Sequence, residues 1–435
     1  MWLRGLHAKL DHEQRQLLVI ILFLITGSCL RLLWAGDMEW KSEEKWMFEQ
    51  AQLIARGAAP LPIVGMRSGV SLPNPGMTVW WFAMIANFAH DPISMVRWVQ
   101  ALNILTIWLF FGFVIWQIAP KNQKPWLWGL AIASVNPLAV VLSRKIWIPD
   151  LLTPFCFLVF LGHWFRKKRW GSFLWGIAGA FIGQVHMGGF FFALGLLLWT
   201  IWHDYKRQTL KETVWASWFV GSVLGSIPLI PWAWVVLPQM GHYTRSIVGL
   251  LVPKFYVQWM STAVGINLSN PLVKVFWRNF LCEPLIFGIP TYLMIPAHLF
   301  LLGIGLYPVY RFFKSRKNSH LQASSGEVDS ELNFYLKALA FGVGGVFTLS
   351  GVNVQPYYII VVFPFLYIWL ALVYQNQVKL LTTIALVQLF ITFTFLVFIH
   401  RTGGFPGPGY GIVYRLQVEQ LQFLHPYPPQ VSAAD

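Results

Sequence analysis

Cysteine and charge are both scarce in this chain. Three cysteines among 435 residues, Cys29, Cys156 and Cys282, stand at no paired spacing, which argues against a disulfide framework and a thiolate metal site. Charged side chains make up 11% of the residues against 56% hydrophobic, too little polar surface to cover a water-soluble domain of this length. Acids are scarcer still: 17 Asp and Glu stand against 32 Lys and Arg, a formal charge of +15. No internal repeat is visible, as a transporter built from two copied halves would usually show. The first apolar run, 17–34, lacks a small-x-small cleavage pattern and reads as a retained helix rather than a signal peptide. The Gly/Pro-rich stretch 403–411 is neither strand-flanked nor followed by Lys-Ser/Thr, so it is no nucleotide cradle; it reads as an external loop able to lie over a site.

What the chain does hold is a series of long apolar runs punctuated by basic clusters. An all-α polytopic membrane protein with about 11 spans is expected, near 17–34, 98–118, 125–142, 151–165, 171–186, 189–203, 215–237, 285–310, 334–350, 357–374 and 380–399. Tryptophans near span ends suit interfacial belts. Arg4, Lys9 and Arg15, then Lys121 and Lys124, Arg166 to Arg169, Lys206, Arg207 and Lys211, Arg311 to Lys317, and Lys379 fall in alternate loops and are placed in the cytoplasm by the positive-inside rule. The segment from Met77 to Ala89 is too short to cross and reads as a helix lying in the outer interface. The N-terminus is then inside and the C-terminus outside. Residues 1–313 form an N-terminal module with the external loop 35–97, 314–331 a polar cytoplasmic linker, and 332–435 a C-terminal module with an external tail. The positive charge fits topology and attraction to lipid head groups or phosphate-bearing ligands better than nucleic acid.

Acids gather in the external loops. From Ser42 to Gly57 the first loop reads as a short helix with Ser42 as N-cap, Glu43 and Glu44 in the first turn and Gly57 as stop. That spacing holds Glu43 on a rigid element, and it equally suits a solvated helix whose acids only cap it. A second site opens at Ser143-Arg144-Lys145-Ile146-Trp147-Ile148-Pro149-Asp150, where Pro149 starts a helix with Asp150 in its first turn. A carboxylate at that depth costs up to about 3 kcal/mol unless hydrated or paired, and Arg144 and Lys145 are its nearest candidate partners.

The acidic first loop, the interfacial helix, the Arg97-containing span, Asn136-Pro137, Ser143-Arg144 and Trp147-Ile148-Pro149-Asp150, in that order, resemble the polyprenyl-phosphate-sugar-dependent integral membrane glycosyltransferases. These share the GT-C fold and include protein O-mannosyltransferases and lipid A aminoarabinose transferases. Glu43-Glu44-Lys45-Trp46 occupies the place of the family's Asp-Glu loop motif, and Gln355-Pro356-Tyr357-Tyr358 resembles its late aromatic segment. The resemblance implies Glu43 as the catalytic base, with Asp37 as rival because Glu stands where the family has Asp, and Asp150 as the second external acid. It also implies a polyprenyl-phosphate-linked sugar donor, a lipid, glycan or protein acceptor, inversion at the sugar carbon, and a site on the external face of what is expected to be a bacterial inner membrane.

The leaving group is a phosphate anion, which needs cations more than an acid. Candidate binding residues are therefore Glu44, Arg144, Lys145, Gln184, His186, Arg245, Lys274, Arg278, Tyr357, Tyr358, His400 and Arg401. No cofactor is certain from the sequence. A divalent metal ion stays open, held by His186 and the acids, although zinc-ligand spacing is absent. The competing reading is a lipid or polysaccharide transporter, flippase-like, which should carry charge at mid-span; here the acids lie outside or at the rim.

Overall fold

A computed structural model describes residues 12–68, 72–238, 253–268, 272, 274–317, 330–407 and 409–424. Among the described residues the fold is all-α apart from two short hairpins. Helices α1 (His12–Leu32), α2 (Ser42–Ala55), α3 (Met77–Ala86), α4 (Pro92–Gln117), α5 (Gln123–Val135), α6 (Pro137–Leu142), α7 (Leu152–Trp164), α8 (Arg169–Val185), α9 (Gly188–Lys206), α10 (Trp215–Ser226) and α11 (Leu229–Val236) occupy the first half. Helices at Lys254–Val264, Lys274–Leu281, Met294–Lys317, Ser330–Lys337, Gly344–Ser350, Phe365–Val373, Val378–Thr402 and Tyr414–Leu424 follow.

Among the described residues, four helices are long and apolar enough to cross a bilayer, and six if each bent pair counts as one span. The bends fall at prolines: 60° between α10 and α11 at Pro228, and 81° between Pro356–Val362 and Phe365–Val373 at Pro364. Asn136-Pro137 likewise breaks the run 125–142 into α5 and α6. The run expected at 285–310 begins instead as a hairpin, β3 (Leu285–Ile286) paired with β4 (Ile289–Pro290); Pro284, Gly288 and Pro290 exclude a helix before Met294. Its helix continues to Lys317, into the stretch expected as linker. The rest of that linker, 318–329, lies outside the described residues.

Small residues let the helices approach closely, the usual device where lipid supplies no hydrophobic drive for helix pairing. α8 packs between α7 and α10, and a Cβ at Gly176 would overlap the Trp218 carbonyl. α5 packs against α1, α4 and Phe365–Val373; a Cβ at Gly129 would meet the Ile368 backbone. Outside these helices, α2 and α3 lie together, joined by Gln52 Nε2 donating to the Ala89 carbonyl at 2.6 Å. Between them β1 (Val64–Arg67) pairs antiparallel with β2 (Pro73–Pro75), and Trp232 of α11 donates to the Pro73 carbonyl at 2.9 Å. This arrangement sets the first loop over the ends of α7, α8 and α11.

Candidate functional site

The first loop is anchored by buried charge. The Glu44 carboxylate accepts from the Lys41 backbone N–H at 3.0 Å, so Lys41 rather than Ser42 is the N-cap of α2 and Ser42 becomes its first residue. Glu44, Met47 and Ala51 form the buried face at helical spacing; Glu43, a hundred degrees around, is exposed. Lys145 reaches Glu39 at 2.8 Å, stands 3.8 Å from Glu44 and lies 3.9 Å above the Trp147 ring. Glu39 also pairs with Lys41. Burial, then the neighbouring Glu39 carboxylate, pushes the Glu44 carboxyl up to about 7, with Lys145 and Lys41 opposing. Burial acts to lower Lys145, but Glu39 and Glu44 outweigh it and hold the ammonium above the ordinary lysine range.

Asp150 is fully buried in the turn Ile148–Leu151 that opens α7. Its Oδ2 accepts the Trp147 N–H at 3.1 Å, its carbonyl accepts from Asn103 at 2.8 Å, and its Oδ1 has no hydrogen-bond partner. Lys145 is the cation that acts on it. Arg144 turns away. Its guanidinium donates to the carbonyls of Leu30 (2.6 Å), Arg31 (3.0 Å) and Trp34 (3.2 Å), closing the C-terminal end of α1.

Asp37 is held by the far end of the chain. Its carboxylate meets His400 Nδ1 at 2.5 Å and Arg415 Nε at 3.3 Å, and its carbonyl accepts from Tyr410 at 2.8 Å. Lys41 Nζ donates to the Gly409 carbonyl at 2.7 Å, Gln417 to Trp40 at 2.6 Å, and Glu39 forms a β-bridge with Val413. The described residues of 403–413 are non-helical, as the glycines and prolines there require, and strap the loop leading into α2. Positive φ at Gly403, Gly404 and Gly411 makes the reversals possible.

Glu43 opens onto a cavity of about 190 Å³ lined also by Met66, Arg67, Ser68, Asn74, Trp147, Ile148, Pro149, His186, Tyr357 and Tyr358. Five separate stretches of chain converge there. Glu43 makes no hydrogen bond or ion pair with the described residues, and no described carboxylate pairs with Arg67. His186 follows the last turn of α8, its Nδ1 accepting the Gly188 N–H at 3.0 Å, and its ring lies 5.1 Å from that of Tyr358. Tyr357 packs edge-on to Trp147 at 4.7 Å. The cavity thus presents one unpaired carboxylate, one guanidinium, an imidazole and two phenols beside aromatic walls, a set able to take a proton and to hold a phosphate or sugar hydroxyls.

Of the remaining expected residues, Gln184 is buried and donates to the Gly225 carbonyl at 2.6 Å, joining α8 to α10 instead of lining the cavity. Arg401 pairs with Glu283. Arg278 is exposed on Lys274–Leu281 and forms no ion pair among the described residues. Lys274 opens that helix, and Arg245 lies outside the described residues. Arg67, Asn74 and Glu39 were not expected; Gly65, Pro73 and Pro75 around Arg67 are the turn residues that could have signalled its hairpin. Among the described residues no three His, Cys, Asp or Glu side chains gather as metal ligands would. No family model, curated protein or solved structure matches the chain, so the site stands on its own geometry.

Proposed function

We propose that the chain is a membrane glycosyltransferase of GT-C type, with about 11 spans and its site on the external face, moving a sugar from a polyprenyl phosphate to a lipid, glycan or protein acceptor. The observation that carries the proposal is the unpaired Glu43 carboxylate sharing a cavity with Arg67, His186, Tyr357 and Tyr358. Asp37, Glu39 and Glu44 are each engaged with cations or the backbone; Glu43 alone of the first-loop acids lines the cavity.

The acceptor oxygen attacks the anomeric carbon while Glu43 takes its proton; the bond from that carbon to the phosphate oxygen breaks, and polyprenyl phosphate departs with inversion. Arg67 supplies the positive charge facing the departing phosphate. His186 and the tyrosine pair hold sugar hydroxyls. The tail has a place nearby. An apolar groove of about 320 Å³ between α3, α4 and α7, lined by Trp81, Phe88, Trp98, Leu102, Phe155 and Leu158, also includes Leu151, which belongs to the same turn, Ile148–Leu151, as Ile148 and Pro149 of the cavity. An isoprenoid chain in that groove would bring its phosphate to Arg67.

The test is transfer of labelled sugar by the purified protein from a polyprenyl-phosphate donor to membrane extract, with and without a chelator. Transfer that requires the lipid-linked donor supports the proposal, and the chelator arm decides the metal. Transfer from a nucleotide sugar alone, or bilayer translocation without a glycosidic bond, overturns it.

A further inference from the structure

A second polar cavity, of about 320 Å³, lies at the opposite ends of α7, α8 and α9 from Glu43. α9 alone, 19 residues long, separates the two by roughly 28 Å. Its lining includes Trp164, Arg166, His203, Asp204, Arg207 and Glu331, with Lys167 and Glu212 pairing at the exposed rim. Nothing in the proposed transfer reaction uses these residues.

Asp204 is 2% exposed, and its polar partners stand at the long end of the hydrogen-bond and ion-pair range: His203 Nδ1 at 3.2 Å, an Arg166 nitrogen at 3.5 Å and Thr213 Oγ1 at 3.5 Å. An ammonium would approach at about 2.7–2.9 Å. Beside it the Nε of Arg166 is buried with no hydrogen-bond partner, and Arg207 is exposed with no ion pair among the described residues. The cavity thus offers a buried carboxylate with no cation closer than 3.2 Å at its floor and a guanidinium nitrogen without an acceptor next to it. A bare phosphate would sit against the carboxylates of Asp204 and Glu331, and a bare amine against two guanidiniums; a ligand carrying both charges satisfies both.

The surroundings point to the ligand's source. Trp170, Trp202 and Tyr205 are 48%, 45% and 70% exposed near this end of the helices, and Lys206 lies 4.2 Å over Trp202. Such amphipathic rings and snorkelling lysines mark the depth of lipid head groups.

We propose that this cavity is a lipid headgroup site for a phosphate ester bearing a primary ammonium, as in phosphatidylethanolamine, with the ammonium on Asp204 and the phosphate between Arg166 and Arg207. The site stands apart from sugar transfer and survives the failure of that reading. Binding is measured on the full chain in detergent with dihexanoyl phosphatidylethanolamine, dihexanoyl phosphatidylcholine, dihexanoyl phosphatidylglycerol and soluble phosphoethanolamine. Saturable binding of the ethanolamine lipid at least tenfold tighter than of the choline or glycerol lipids is expected, since choline has no N–H to donate and glycerol no positive charge. Soluble phosphoethanolamine should compete for the same site more weakly, which separates a lipid site from a site for the free compound; competition at equal strength overturns the lipid assignment. Asp204→Asn should abolish the preference. Should that variant fail to fold, Arg207→Ala, at an exposed position, decides: at least tenfold weaker binding of the ethanolamine lipid supports the site. Wild-type affinity in Arg207→Ala, or equal binding of all three lipids, overturns it.

Discussion

Glu44→Gln should stabilise the protein at pH 8 and do so far less at pH 5. The Glu44 carboxyl titrates at about 7 in the fold against an ordinary 4.5, because burial and the Glu39 carboxylate disfavour its charge. The fold therefore binds this proton more tightly than the unfolded chain does. Below pH 4.5 both states are protonated and nothing is lost; as pH rises from 4.5 to 7 the unfolded state ionises first and stability falls; above 7 the loss is complete. A rise of that size, in which the opposing pull of Lys145 at 3.8 Å is already counted, corresponds to roughly 3 kcal/mol. Glutamine keeps an oxygen for the Lys41 N–H and removes the charge, so the penalty disappears while Lys145 retains Glu39. The assay is thermal unfolding of the detergent-solubilised protein from pH 4.5 to 8.5, comparing Glu44→Gln with the unsubstituted chain. The unsubstituted chain should lose stability between pH 4.5 and 7, and the variant's profile should flatten over that window. A variant less stable than the parent at pH 8 by more than about 1 kcal/mol would show that the ionised pair with Lys145 is a net gain, and the reasoning fails.

Two further perturbations probe the frame around the site. Gly129→Val forces side-chain atoms into the Ile368 backbone and should cost about 1–3 kcal/mol or more, read as a lower unfolding midpoint; a change below about 0.5 kcal/mol would mean that α5 does not pack this closely. Arg415→Ala removes one of the two side chains on the Asp37 carboxylate and should cost about 1 kcal/mol or less, given the arginine's partial exposure. Limited proteolysis within 403–413 should quicken up to about fivefold, and an unchanged rate would show that the strap is held elsewhere.

How much of this was legible in the sequence depended on range in the chain. The start and stop of α2 follow from residues within two turns, so its extent was readable, and the error at its N-cap came from Glu44 reaching back one residue further than Ser42 suggested. That Glu43, His186, Tyr357 and Tyr358 stand near the ends of apolar runs was readable, but nothing local showed that they line one cavity. Arg144 and Lys145 are neighbours that could not be told apart by type; the fold sends one to the end of α1 and the other to Glu39. Asp37 and Arg415 are 378 residues apart, and no periodicity reports a contact of that span. The hairpin at β3 and β4 was lost because an apolar run hid the prolines and glycine within it.

The central claim, that Glu43 is the base, is tested most directly by sugar transfer from a polyprenyl-phosphate donor in Glu43→Gln. The side chain is exposed and unpaired, so the variant should fold and bind donor as the parent does. Its turnover should fall about 10²–10⁴-fold. Parental turnover in Glu43→Gln, with collapse in Asp37→Asn, would contradict the account and move the role to the residue beneath the C-terminal strap.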